Sequence, residues 1–136
     1  MPSSYLFDTN ALIYLVYSGS PFHDEVSEFL KNCLKRDGRI YILTSSLNEI
    51  YYVLHSNYVS EEKARRSLDY IVEIFDLIDL VAMLVIQAIE SDEPDYEDAL
   101  VRAAAEAIQV DAIISYDKKA FKNSPILKKT AAQISL

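Results

Sequence analysis

DYEDALVRAAAEAIQVDAIISYDKKAF, residues 95–121, is the stretch from which the fold of this chain can be read. It opens on acids at Asp95, Glu97 and Asp98. It continues as an alanine-rich helix with Leu100, Ala103, Ala104, Ala107 and Ile108 on one buried stripe. The apolar run 112–114 then reads as a short buried strand, and the chain leaves it at Ser115, Tyr116 and Asp117. Small residues let such a helix lie close against a sheet. A helix that begins with carboxylates, followed by a strand that ends in one, sets acid at one edge of that sheet. Open α/β sheets hold their ligands beyond the carboxyl ends of their strands. Asp98 stands off the apolar stripe, so the core does not account for it. Acids in a first helical turn also complement the helix dipole, for which one or two suffice.

The same alternation runs through the rest of the chain. Tyr5-Leu6-Phe7 is a β-prone run ending at Asp8, and Thr9-Asn10 leads into an apolar helix over 11–17. Asp8 there fits both a helix cap and a ligand. Ser18-Gly19-Ser20-Pro21 breaks the chain. A second helix follows, with Phe22, Val26, Phe29, Leu30, Cys33 and Leu34 on one stripe and Asp37-Gly38 at its end. A second strand is expected over 40–43. Behind it Ser46 and Glu49 have the spacing of a capping box, although Glu49 again follows a strand's carboxyl end. The next helix carries Ile50, Val53 and Leu54, with Tyr51, Tyr52 and Tyr58 as half-buried aromatics. Ser60 caps a long helix with Ala64, Leu68, Ile71, Val72 and Phe75 on one face. A third strand is expected over 77–81 and a very apolar helix over 82–90. Beyond Asp117 a short helix is expected over 118–122 and an edge strand over 131–134. His23 and His55 read as surface residues without a role.

Strands alternating with helices predict an α/β fold with a mostly parallel sheet of four to five strands and helices on both faces. The 136 residues suit one domain over 1–136 with a real core. Half the chain is hydrophobic and only two residues are glycine, so it is globular. No charge-free apolar run is long enough to span a bilayer, and the N-terminus lacks a signal-peptide pattern. The one cysteine, Cys33, reads as a buried thiol, and a cytoplasmic protein is expected. A net charge of −8 argues against a plain nucleic-acid-binding module, whose phosphate contacts want a basic surface. Clustered acids, however, can be neutralised by divalent ions.

Every crossover returns its strand in the same direction, so Asp8, Glu49 and Asp117 fall at one sheet edge. A crossover helix runs antiparallel to its strands, which brings Asp98 to that edge as well. Carboxylates so gathered repel by about 4 kcal/mol per pair at ~4 Å and an effective dielectric of ~20. Protonation or a cation must relieve them. Oxygen ligands without histidine or cysteine nearby select Mg²⁺ or Mn²⁺ over zinc. Such an ion, held by a few carboxylates, typically works on phosphate esters by polarising the phosphoryl oxygen and activating water. One ion or two would serve.

FDTNALI at 7–13, SSLNEIYYVL at 45–54, DYEDALVRAAA at 95–105 and ISYDKKAF at 114–121 resemble the PIN domain. The likeness is to its small prokaryotic members, including the toxins of VapBC-type toxin–antitoxin pairs. It covers essentially the whole chain; each motif is weak, and the four in order are specific. The resemblance implies an α/β/α sandwich and a metal-dependent ribonuclease. In it Asp8, Glu49, Asp98 and Asp117 match the acidic quartet that holds Mg²⁺ or Mn²⁺ and activates water. Asn10 and Ser115 match supporting polar positions, and Asp95 lies near enough to be an additional carboxylate. It also implies an RNA substrate, a homodimer, and an antitoxin that inserts a segment near the site. Relatives often carry threonine and a basic residue where this chain has Ser115 and Tyr116, which bears on substrate grip. They often have Thr-Pro where this chain has Thr130-Ala131, which bears on the tail. Lys118, Lys119 and Lys122 are candidates for phosphate contacts, or else a solvated helix face.

Two other readings compete. In a non-catalytic PIN-like module that binds protein or RNA, the acids would be helix caps only. A phosphatase with a nucleophilic aspartate would need a second aspartate two residues beyond Asp8, where this chain has Asn10.

Overall fold

The computed structural model describes residues 3–134; Met1 and Pro2, part of the N-terminus read above, and Ser135 and Leu136 lie outside the described residues. Five strands form the sheet: β1 (Ser4–Phe7), β2 (Arg39–Leu43), β3 (Asp76–Ile78), β4 (Ala112–Ile114) and β5 (Leu127–Lys129). Their order is β3-β2-β1-β4-β5, and every pairing is parallel. The helices are α1 (Thr9–Val16), α2 (His23–Lys35), α3 (Thr44–Ser56), α4 (Glu61–Ile74), α5 (Ala82–Glu90) and α6 (Tyr96–Ile108).

The strands read as unbroken apolar runs because both faces of a parallel sheet are covered. Tyr5, Phe7, Ile40, Ile42, Ala112 and Ile114 point to one face and meet α1 to α4. Leu6, Leu43 and Ile113, one residue out of phase, point to the other and meet α5 and α6. Phe7 is wholly buried between Phe29 and Phe75, with ring centroids 6.0 and 5.1 Å away. Burying such a side chain contributes about 1.5–3 kcal/mol.

This layering also fixes where a ligand can bind. From β1 the chain steps to β2 and β3 in one direction, then returns through α5 and α6 to β4 on the other side of β1. Right-handed crossovers in opposite directions place their helices on opposite faces. The strand order therefore reverses between β1 and β4, where a crevice opens at the carboxyl ends.

The three-layer α/β/α architecture with a parallel five-stranded sheet is as expected; several local features are not. The third strand is Asp76–Ile78, displaced toward the N-terminus from 77–81: Ile78 is its buried residue, and Leu80 and Val81 beyond it are exposed. The edge strand is Leu127–Lys129, and Ala131–Gln133 is instead a short 3₁₀ helix closed by a Thr130–Gln133 capping box. No helix forms over 118–122: Asp117 accepts the Lys119 and Ala120 amides as a cap would, but the chain leaves helical geometry at Phe121, which has φ 66° and an amide held by Glu93. The α3 helix starts at Thr44, directly on β2, so Ser46 lies inside its first turn and the expected capping box with Glu49 does not form. In α6, Ala99, Val101 and Ala105 are buried with the predicted stripe, while Ala107 and Ile108 are exposed. That helix packs on both the sheet and α5, so its early turns are covered over more than one stripe. Leu34, Val72, Tyr52 and Tyr58 are exposed rather than buried or half-buried, and His23 Nδ1 lies 3.0 Å from the Tyr14 carbonyl oxygen.

Candidate active site

Asp8 follows β1 directly at the reversal point and is only 5% exposed. Its backbone N–H continues the β1–β4 ladder to the Ile114 carbonyl at 2.9 Å. Its Oδ1 accepts the Thr9 N–H at 2.9 Å, capping α1, and its Oδ2 accepts the buried Ser115 hydroxyl at 2.8 Å. Ser115 Oγ in turn accepts the Asp117 N–H at 3.1 Å, and Asn10 Oδ1 accepts the Tyr116 N–H at 3.1 Å. The ends of β1 and β4 are thus tied through Asn10 and Ser115.

Asp117 holds its bend through Oδ1, which accepts the Lys119 N–H at 2.8 Å. Its Oδ2 has no hydrogen bond among the described residues. Lys128 pins the same loop by donating to the Asp117 and Ala120 carbonyls at 2.6 and 2.8 Å. Behind it, the buried Glu93 carboxylate accepts the Phe121 N–H at 3.0 Å, at a residue with φ 66°, and lies against Arg102.

Asp98 lies in the first turn of α6, where Asp95 is the cap and accepts the Asp98 N–H at 3.0 Å. Glu49 reaches the same space from the second turn of α3. The Thr9 hydroxyl donates to its carboxylate and stands 3.1 Å from Ser46 Oγ. The structure therefore brings Asp8, Glu49, Asp98, Asp117 and Asp95 around one cleft of about 240 Å³, with Glu97 as a sixth acid. Thr9 and Glu97 do not stand out as site residues in the sequence. Their only signals there are Thr9's place beside Asp8 and the excess of acid in the first turn of α6.

The electrostatics are those of unneutralised acids. Burial first, then the neighbouring Glu97, pushes the Glu49 carboxyl up to about 8, against the Thr9 hydrogen bond. Burial, then the negative charges of Asp8, Asp95 and Asp117, pushes Asp98 up to about 7. Asp8 is also raised by burial, opposed by the Ser115 and Thr9 hydrogen bonds. Among the described residues, no three His, Cys, Asp or Glu side chains are already arranged to hold a metal ion. The donor set nevertheless fits one kind of ion: it is entirely oxygen, without histidine or cysteine, and strongly anionic, as Mg²⁺ and Mn²⁺ require.

Lys118 lines a second, larger cavity next to this cleft, whereas Lys119 and Lys122 are exposed and line neither. Among the described residues no helix is long and apolar enough to cross a membrane.

The PIN domain family model matches residues 4–119, and the chain belongs to that family. Solved structures share the fold at low sequence identity. VapBC2 from Rickettsia felis, bound to a promoter DNA fragment, has a TM-score of 0.71 at 20% identity, covering 93% of this chain and 98% of that one. Mycobacterium tuberculosis VapC20, a toxin that cleaves the sarcin–ricin loop, has a TM-score of 0.69 at 16% identity, covering 84% and 90%. A toxin–antitoxin complex from Klebsiella pneumoniae has a TM-score of 0.68 at 22% identity, covering 96% and 99%. No curated protein matches the chain in sequence.

Proposed function

We propose that this chain is a Mg²⁺- or Mn²⁺-dependent endoribonuclease that hydrolyses RNA phosphodiester bonds, and that it is the toxin of a toxin–antitoxin pair. The observation that carries the nuclease reading is the gathering of six carboxylates from four segments around one cleft at the strand-order reversal. Membership of the PIN family and the VapC fold neighbours support it.

Asp8, Glu49, Asp98 and Asp117 would hold the ion, with Asp95 in support. When bound, it supplies Lewis acidity toward a phosphoryl oxygen and lowers the pKa of water. The chain's own residues prepare that chemistry. Ser115 and the Thr9 amide fix both oxygens of Asp8, so this buried carboxylate is pre-oriented. Thr9 orients Glu49, and Asn10 and Ser115 lock β4 so that Asp117 faces the cleft. Burial and the neighbouring Glu97 push the Glu49 carboxyl up to about 8, so ion binding here is coupled to release of a proton from the Glu49–Glu97 pair.

Cleavage of a single-stranded RNA in Mn²⁺, followed by mass spectrometry of the ends, tests the activity. Products that form with wild type and not with Asp98→Asn support it, and an RNA left intact by a folded, metal-loaded protein contradicts it. One observation favours the second reading, a non-catalytic PIN-like binding module: Asp8, Asp95 and Asp117 each also satisfy backbone amides at a helix or turn start.

An antitoxin partner is proposed because two of the fold neighbours named above are toxin–antitoxin assemblies. Self-association is proposed through α5, whose Met83, Ile86 and Ile89 are 60, 50 and 68% exposed. Contiguous exposed apolar groups of this kind mark interaction surfaces.

A further inference from the structure

Asp117 lines the acid cleft and also a second, larger cavity, about 510 Å³, within the range of small-molecule pockets. Its floor is aromatic: Tyr116 stacks on Phe22 with centroids 4.5 Å apart and planes at 27°. The Tyr116 hydroxyl is tied down, donating to Glu25 at 3.0 Å and accepting from the Ala131 amide at 3.3 Å. Its rim carries Lys118, Lys128 and Lys129, in a chain whose net charge is −8. Lys128 is committed to the Asp117 and Ala120 carbonyls. Lys118 and Lys129 make no side-chain hydrogen bond or ion pair among the described residues.

We infer that this cavity binds the nucleotide adjoining the scissile phosphate of a single-stranded RNA, its base against the Tyr116 floor and its phosphate between Lys118 and Lys129. The inference rests on the nuclease reading for the identity of the strand, and on the cavity itself for the contacts. Single-stranded nucleic acid is held by pairing cationic rims with aromatic faces, and both are present here. The cavity opens directly beside the acid cleft through Asp117, so a strand lying across one passes into the other. It also gives an acidic protein a place to hold RNA: Lys118 and Lys129 are available to phosphate there, while the lining acids Glu25 and Asp117 are engaged by the Tyr116 hydroxyl and the Lys119 amide.

The test is fluorescence anisotropy of a short fluorescein-labelled oligouridylate, with Ca²⁺ in place of Mn²⁺, across a salt series. Wild type is compared with the Lys118→Ala/Lys129→Ala double variant, with Ala132→Trp, which fills the cavity without changing charge, and with Lys122→Ala. The double variant is expected to bind about tenfold more weakly, and its salt slope to fall by ~0.7 for each phosphate that the lysines no longer neutralise. Ala132→Trp should weaken binding by about tenfold, as loss of base stacking does. Lys122→Ala should bind like wild type. Equal binding by all four proteins overturns the assignment, as does equal weakening by Lys122→Ala, and so does no binding by wild type. Cleavage assays with the same RNA separate the two proposals. Lysine-dependent binding without any cleavage in Mn²⁺ leaves the cavity and removes the nuclease reading. Cleavage with an unchanged KM in the double and Ala132→Trp variants removes the cavity and leaves the nuclease.

Discussion

The Thr9 amide caps onto Asp8 while its hydroxyl donates to Glu49, so one residue holds two carboxylates of the cleft. Thr9→Val removes the hydroxyl and with it the bond that holds the Glu49 pKa down, so that pKa should climb above about 8. Mn²⁺ affinity near neutral pH should then fall by about 10–100-fold, as when partners of ligands are removed, and recover as the pH is raised. Calorimetry across pH checks this, and unchanged affinity throughout would reduce Thr9 to packing. That Asp8, Glu49, Asp98 and Asp117 meet at one edge of the sheet was legible in the sequence, because each follows a strand or opens a helix. The links that orient them were not. Thr9 and Glu49 stand 40 residues apart, and Lys128 reaches Asp117 across 11, distances over which a single sequence carries no pairing signal.

At the scale of elements, helices with strong caps and stripes and the buried apolar strands β1, β2 and β4 were readable, while the edge strands β3 and β5, which bury little, were misplaced. Leu127–Lys129 has an exposed leucine and two lysines, the composition of a protected edge and not of a core strand. The 3₁₀ helix after it had a readable signal, since Thr130 and Gln133 have capping-box spacing. The α2–β2 connection is tightly fitted. A Cβ on Gly38 would stand 2.3 Å from Cys33 Sγ and 3.0 Å from the Cys33 carbonyl oxygen. Gly38→Ala should therefore destabilise the protein by about 1–3 kcal/mol, as overpacking does. Adding Cys33→Ala should restore part of that loss. Urea melts of the single and double variants measure both effects, and an unperturbed Gly38→Ala midpoint would contradict the packing described.

For the whole molecule, the cleft makes stability depend on pH. The folded protein holds Glu49 at about 8 and Asp98 at about 7, against ordinary values of 4.5 and 3.8, so it binds protons that the unfolded chain has released. These groups favour the folded state at low pH, and their contribution is lost as pH rises through the folded values. The thermal midpoint of the metal-free protein should thus fall between about pH 4 and about pH 8, and less steeply in Glu49→Gln. Mn²⁺ should raise the midpoint, most strongly at the alkaline end, and a midpoint that ignores both would contradict the electrostatics. Self-association through α5 predicts that Ile86→Glu shifts sedimentation toward the monomer while leaving RNA cleavage per site measurable. Unchanged sedimentation would place any dimer contact elsewhere.

The central claim is that the acid cleft is a metal site, and Mn²⁺ titration by calorimetry on wild type and Asp8→Asn tests it most directly. Saturable binding by wild type, with an observed heat that varies with buffer ionisation enthalpy because protons are released, should be absent in the folded variant. A wild type that takes up no Mn²⁺, or a variant that binds it equally well, would contradict the account and leave the carboxylates as helix and turn caps.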